Sequence, residues 1–449
     1  MIDDKKELRS DMLKNIYDKA KEAEENQVDD ATEYYAQEVL QNDGDDKDDE
    51  KFEHEPPTQF KIERYLRKKY EFRFNEILKD CFYRPRPKKG EDGGEFQKVC
   101  IPDLWRELAL RGFNYSMSKL EATIGSNFVE KYNPFVECFE QLEPWDGEDW
   151  IKKLCRYIVL ENETDSEIQR LYIMLKKWLV RCIRCALGGA INREVIMFKS
   201  DQQKIGKTSF FRYLAPKALK EYYMENPEIG NKDALISLTE NLIINFDEYD
   251  KYLKEGNLPV MKSYISQDRP KVRLPYGRKQ ENIKRVCSCV ASTNIGDFLR
   301  DETGNTRYIC FDIHGFEWKE YTKIDVDKIW AQVYYLYKLT LQGKFQCELT
   351  TEEEAENDRN NLQYLYHSSE FELLQRLYEP SQDQEDFKMT TEIVEFLMNN
   401  TRFRNLTTNA VGRALTALGY KKVHSKKDNS KQGYLIKLKQ DSENQLFLK

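Results

Sequence analysis

The sequence predicts an α/β core with a doubly wound parallel sheet, an α-helical N-terminal domain before it and a winged helix after it. Three observations carry that expectation. The apolar run Val195-Ile196-Met197-Phe198 feeds a polar loop that ends in Gly206-Lys207-Thr208 and opens a helix. Two more short apolar runs, Asn241–Phe246 and Val286–Ala291, read as buried strands that end in acidic or polar residues. Amphipathic helical stretches lie before and between them, an alternation that builds parallel sheets.

Strand, loop and helix over 195–214 follow in the order a phosphate-binding loop needs. Backbone N–H groups of the loop and helix N-terminus face the β- and γ-phosphates, where the helix partial charge favours an anion. Lys207 would reach the same phosphates and the Thr208 hydroxyl would bind Mg²⁺, with Gly206 and Ser209 completing the cradle. The pattern G-x-x-x-x-G-K-[ST] asks for Gly at 201, where this chain has Asp201. Gly there would allow a positive φ, and Asp brings a carboxylate towards the phosphates.

Asp247 and Glu248 follow the strand pattern Asn241–Phe246. One carboxylate at a strand end can hold Mg²⁺ and a second can polarise an attacking water. Val286–Ala291 runs into Ser292-Thr293-Asn294, and the Asn294 amide can orient water against the γ-phosphate. Arg307 lies 13 residues further on and is the candidate arginine finger, with Arg300 its competitor. In a doubly wound sheet these strand ends share the carboxyl edge, where ligands bind.

Charge separates along the chain. Residues 1–58 hold 20 Asp/Glu and 8 Lys/Arg, a local −12, so the net −8 leaves −8 − (−12) = +4 on the remainder. An acidic arm thus precedes a mildly basic body that suits a polyanionic partner. The most basic stretch, 269–285, carries seven positive charges against Glu281. It reads as a hairpin whose Lys271, Arg273, Arg278 and Lys279 track phosphates and whose Tyr276 stacks on a base. No run approaches a membrane span, the N-terminus lacks a signal-peptide apolar core, and the ten cysteines lie scattered; a cytoplasmic protein is expected. Cys182 and Cys185 fall within a helical pattern over 166–187, and Cys287 and Cys289 on one strand, so all four are expected as buried thiols.

The expected organisation is an acidic, largely disordered arm (1–58), the α-helical N-terminal domain (59–155), the phosphate-loop domain (156–345), a helical linker (346–387) and the winged helix (388–449). The last segment carries 12 Lys/Arg against 5 Asp/Glu. Helices capped at Thr390-Thr391 and Thr407-Thr408 precede a hairpin with a Lys-rich turn, and Asn409, Arg413 and Thr416 lie off the apolar stripe, free to face a groove.

The ordered set of phosphate loop, Asp247-Glu248, "RPKVRLPYGRK", strand-"STN" and "LRDETGNTRY" resembles the virulence-associated protein E family, and "YNPFVECFEQLEPWDG" at 132–147 resembles the segment that precedes the ATPase there. The likeness runs over roughly 60–345. It implies AAA+-like P-loop ATPases of phages and mobile elements, similar to superfamily-3 helicases, that hydrolyse ATP with Mg²⁺ at the interface of a ring-shaped homo-oligomer, a hexamer being one candidate. On it, Lys207 and Thr208 take the Walker A end, Asp247 and Glu248 Walker B, Asn294 the sensor and Arg307 a finger given to a neighbouring subunit. Lys271, Arg273 and Arg278 would face DNA, single-stranded or forked. Asp201 departs from the family's loop, and Lys204 replaces a residue often small there. No primase domain is read in the 58 residues before Gln59, which are too few and too acidic, and a primase or other replication protein is one candidate partner. The expected activity is an ATP-dependent DNA helicase or translocase. The alternative is a nucleic-acid-binding regulator or a defence protein with a degenerate or signalling phosphate loop.

Overall fold

The computed structural model describes residues 58–88, 93–231, 234–253, 257–273, 280–300, 305–366, 368–425 and 430–439. The acidic arm therefore lies outside the described residues, apart from Thr58. The chain divides into two compact units. One comprises Met1–Lys69 and Pro102–Met117, whose described part, residues 58–69 and 102–117, holds the helix Thr58–Lys69 and most of the helix Ile101–Leu110. There the Glu107 carboxylate accepts from the Tyr65 hydroxyl at 2.5 Å and from Lys69 Nζ at 2.6 Å.

The other unit comprises Tyr70–Ile101 and Ser118–Lys449. It opens with a four-stranded sheet of β1 (Tyr70–Asn75), β2 (Asp80–Pro85), β3 (Gln97–Lys98) and β4 (Glu130–Tyr132), in the order β3-β2-β1-β4. The expected α-helical N-terminal domain (59–155) thus contains a sheet beside its helices. The helical pattern Phe60–Leu66 is real, but Tyr70-Glu71-Phe72-Arg73-Phe74-Asn75 alternates aromatic and polar residues with a period of two. Tyr70, Phe72 and Tyr83 meet on one face, with Tyr70–Tyr83 centroids 5.1 Å apart. Asn75 Nδ2 donates to the Tyr222 hydroxyl at 2.7 Å and Phe135 meets the Tyr222 ring edge-on, so this sheet is tied to the body that follows.

That body is a six-stranded sheet of β5 (Ile158–Leu160), β6 (Val195–Lys199), β7 (Tyr223–Glu225), β8 (Ile243–Phe246), β11 (Ser288–Thr293) and β12 (Tyr308–Phe316), while β9 (Lys271–Val272) and β10 (Glu281–Asn282) form a separate antiparallel pair. The order is β5-β12-β6-β11-β8-β7, all parallel except the antiparallel edge strand β5. Side chains of β6 alternate between two cores. Ile196 and Phe198 join Trp178, Phe210 and Trp330 on one face; Val195 and Met197 join Phe246, Tyr264 and Cys289 on the other. Burial on both faces is why β6 reads as an apolar run up to Lys199 and why β8 and β11 show no polar–apolar alternation.

The helix Asp165–Ala186, capped by Thr164, buries its apolar stripe on the first core, and Trp178 Nε1 donates to the Glu194 carbonyl at 3.0 Å. Cys182, Cys185, Cys287 and Cys289 are all buried free thiols, as expected. The segment expected as a linker is built into the structure instead. The helix Thr351–Asn361, started by a capping box at Thr350 and Glu353, sends the Asn357 and Asn361 amides to the Tyr308 carbonyl at 2.8 Å each. The helix Ser369–Leu377 packs Leu374 and Leu377 into a third core with Leu397, Val411, Leu415 and Ile436. Around it stand the helices Thr390–Asn400 and Thr408–Ala417 and the strands β13 (Tyr378–Pro380), β14 (Phe387–Lys388), β15 (Val423–His424) and β16 (Gln432–Leu438), each of the first three antiparallel to β16. The Thr407 cap is as expected; the first helix is preceded by Met389 rather than capped at Thr390-Thr391.

Glu240 ends the helix Ala234–Glu240 near Asp80 and Lys98 of the N-terminal sheet. Burial, then the Asp80 charge, push its carboxyl up to about 7, with Lys98 opposing. The folded state therefore holds this proton more tightly than the unfolded chain, and the associated stability is present at low pH and lost as pH rises through about 7. Glu240→Gln is expected to raise the thermal midpoint at about pH 8 and to leave it nearly unchanged at about pH 4, below the unfolded carboxyl's ordinary value. Equal shifts at both pH values would contradict this placement.

Candidate nucleotide-binding site

β6 ends at Lys199 and the loop 200–206 leads into the helix Lys207–Leu214. The Ser200 hydroxyl accepts from the Gln202 N–H at 3.2 Å and turns the chain out of the sheet. Left-handed backbone occurs at Lys204 (φ 60°) and Gly206 (φ 104°), and Asp201 is not among the positive-φ residues. The steric reason for a glycine at 201 is therefore absent, which corrects that part of the sequence reading. The Asp201 carboxylate is 79% exposed and pairs with Lys199 Nζ at 2.9 Å. Gly206 caps the helix without a side-chain hydrogen bond. The first N–H groups of the helix thus take no acceptor from the cap's side chain, the arrangement an anion needs.

Lys207 is buried at the first helical position, and its Nζ donates to Asn294 Oδ1 at 2.5 Å and, more weakly, to the Gln202 carbonyl at 3.5 Å. Burial lowers its pKa; the Lys199 charge adds to that, while Asp247 and Asp201 oppose it. Asn294 arrives from β11, the neighbour of β6, where the Ser200 N–H donates to the Thr293 carbonyl at 3.1 Å. Asp247 follows β8 on the far side of β11, and its Oδ1 accepts a hydrogen bond from Ser292. Three adjacent strand ends thereby bring the loop, Asn294 and Asp247 to one edge. Thr208 is half-buried and Ser209 exposed beside Lys207. Glu248 adopts a left-handed backbone (φ 52°), which is uncommon for a residue with a Cβ, and its half-exposed carboxylate pairs with Lys251.

Arg307 is placed elsewhere. It precedes β12, whose Tyr308 pairs with Val195 at the start of β6, so it lies at the sheet edge opposite its own phosphate loop. Its Nε donates to the Ser266 hydroxyl at 3.1 Å, and it lines an open cavity of about 550 Å³ with Arg193, Glu194, Asp268 and Asn357. Arg300 donates to the Leu253 carbonyl at 3.0 Å and lies over the Tyr366 ring. Within the basic stretch β9 and β10 pair antiparallel, with Lys271 and Arg273 exposed. Tyr276, Arg278 and Lys279 lie outside the described residues. Arg285, counted with that stretch, is fully buried among backbone carbonyls of Ile265 and Cys287 and the Cys289 sulfur, so it adds nothing to the basic surface. Asn409, Arg413 and Thr416 share the exposed face of their helix. Among the described residues no group of three or more His, Cys, Asp or Glu could hold a metal by itself.

Two residues of the site escape sequence reasoning. Ser292 sits in the quoted Ser-Thr-Asn motif, yet nothing in its spacing marks it as the partner of Asp247. Trp318 gives no sequence signal at all; its Nε1 donates to the Ile205 carbonyl at 3.2 Å, and a Cβ at Gly206 would fall 2.1 Å from its ring.

Gly206→Ala is accordingly expected to cost at least roughly 1–2 kcal/mol from left-handed backbone alone. Asp201→Gly should change stability by no more than about 1 kcal/mol. Urea denaturation of both variants checks the contrast, and equal losses would contradict the loop geometry.

No curated protein sequence matches the chain. Among solved structures it is similar to the apo structure of the NrS-1 C terminal region (305-718), with TM-score 0.48 and 12% identity over 86% of this chain and 100% of that one. It is also similar to the SCCmec type IV Cch active helicase, with TM-score 0.37 and 10% identity over 84% of this chain and 94% of that one. The model of the virulence-associated protein E-like domain matches residues 139–366, more than half of the 449 residues and the whole of the six-stranded sheet with its phosphate loop. The chain belongs to the virulence-associated protein E-like domain family.

Proposed function

We propose that this protein is an ATP-dependent DNA translocase or helicase of the replication machinery of a phage or mobile element, working as a homo-oligomeric ring. The observation that carries the reading is the 2.5 Å contact between Lys207 and Asn294 at the edge where Asp247 also ends its strand. Lys207 is held by a neutral acceptor rather than a carboxylate, so its charge stays available to phosphate oxygens. Thr208 and Asp247 supply one hydroxyl and one carboxylate, a donor set that suits Mg²⁺ completed by phosphates and water. The ion would neutralise charge on the bound triphosphate. Glu248 would accept the proton of the attacking water and Asn294 would orient that water, leaving positioning and charge to carry the reaction.

Arg307, at the opposite edge, cannot serve its own loop but suits a finger given to the neighbouring subunit. The β9–β10 pair with Lys271 and Arg273, and the helix bearing Arg413 read as part of a winged helix, would contact single-stranded or forked DNA. Among the described residues no helix is long and apolar enough to cross a membrane. The reading places the work in the cytoplasm, with a primase or other replication protein as a partner.

Lys207→Ala should abolish DNA-stimulated ATPase, and Glu248→Gln should lower kcat by about 10²–10⁴-fold with nucleotide binding retained. Turnover unaffected in both would refute the assigned chemistry. Turnover without strand displacement would point to a signalling or defence ATPase, and DNA binding without nucleotide binding to a regulator. Mixing inactive Lys207→Ala and Arg307→Ala subunits should restore part of the activity, because some interfaces then combine an intact loop with an intact finger. No restoration at any mixing ratio would remove the shared site.

A further inference from the structure

We propose that Trp318 is a positioning residue for the phosphate loop, one that sets the direction of the Gly206 N–H; the inference rests on the nucleotide-binding reading above. A trans peptide points its carbonyl and its N–H to opposite sides. The Trp318 indole N–H holds the Ile205 carbonyl on its own side at 3.2 Å, so the Gly206 N–H of the same peptide is turned away from the indole, towards the open side of the loop. The indole also occupies the volume of a Cβ at Gly206, which closes off the alternative of a side chain at that turn. Loop residues 201–204 are exposed, and their short-range contacts include the Ser200–Gln202 hydrogen bond, the Lys199–Asp201 pair and the weaker Lys207 contact to the Gln202 carbonyl, none of which touches the Ile205–Gly206 peptide. A distant brace therefore decides which way this peptide faces.

The brace is itself rigid. Trp318 packs on Phe316 at 5.3 Å, and Phe316 stacks on Phe210 of the helix that follows the loop at 5.0 Å. The Glu317 N–H donates to the Tyr157 carbonyl of the turn before β5 at 3.0 Å. The Tyr213 hydroxyl, from that same helix, donates to the Ile324 carbonyl at 2.6 Å. The segment carrying the indole is thus tied to the helix that follows the loop and to the turn before β5, and the indole N–H reaches from it to the loop.

The test compares Trp318→Phe and Trp318→Leu in the full chain. Trp318→Phe keeps a ring over Gly206 and removes the donor. It should weaken MgADP binding about three- to tenfold, the loss of one hydrogen bond and the peptide orientation it sets. Its thermal midpoint without nucleotide should stay within a few degrees of the wild type. Amide exchange at 203–208 in the nucleotide-free protein should accelerate while β11 remains protected. Trp318→Leu should show the same changes, larger. MgADP affinity and loop exchange both equal to the wild type in Trp318→Phe would overturn the inference, as would an affinity loss matched by general destabilisation. Wild-type protein that retains no MgADP would overturn the nucleotide reading instead, and the exchange data would still decide whether Trp318 holds the loop.

Discussion

The parallel register of β6, β11 and β8 is the constraint on which the site depends. Val290 lies between Ile196 and Asn245, so the three strands finish together and deliver the phosphate loop, Asn294 and Asp247 to one edge. Both faces of β6 and β11 are buried, so a slip of one residue would turn each strand's inward set to the wrong core. The same slip would carry Asn294 away from Lys207. Packing and chemistry are therefore specified by one ladder: the apolar alternation that fills two cores also holds the register of the polar residues at the strand ends.

Within that edge, the polar groups are arranged so that charge is held without being cancelled. A buried ammonium next to a carboxylate would be neutralised locally and would offer less to an anion. Lys207 instead leans on an amide oxygen, and Asp247 on the Ser292 hydroxyl, so the cation and the carboxylate each have a neutral partner. β12 adds a longer-range relation. It starts next to Arg307 at one edge of the sheet and ends at Phe316, from which Trp318 reaches the phosphate loop at the other. One strand thus connects the arginine proposed to serve a neighbour's site with the brace proposed for the chain's own loop.

Much of the phosphate-loop body was legible because its signals are local. The runs that became β6, β8 and β11 each fit within a few residues, and the CxxC at Cys182 resolved into a buried helix stripe from its spacing alone. The N-terminal sheet was missed because a strong helical pattern over Phe60–Leu66 was extended across Tyr70–Asn75, where the period changes from about 3.6 to 2. The helices at Thr351–Asn361 and Ser369–Leu377 looked like a linker because their first partners, the Tyr308 carbonyl and the third core, are far away in the chain. Arg285 looked like surface charge because a run of cations gives no sign of which member turns inward.

Local patterning alone was enough to establish the strands β6, β8 and β11, the loop that opens a helix at Gly206, and the polar side chains that end those strands. Hydrophobic period and backbone conformational preference act over a handful of neighbours, and they can be read without knowing the fold. The tertiary structure alone decided which of those ends meet. Lys207 and Asn294 are 87 residues apart, and Trp318 and Ile205 are 113 apart. It also decided that Asp201 needs no left-handed backbone and that Arg307 stands on the opposite edge. Those outcomes follow from strand order and direction, which are set by how two cores fill around the sheet and leave no trace in any short window of sequence.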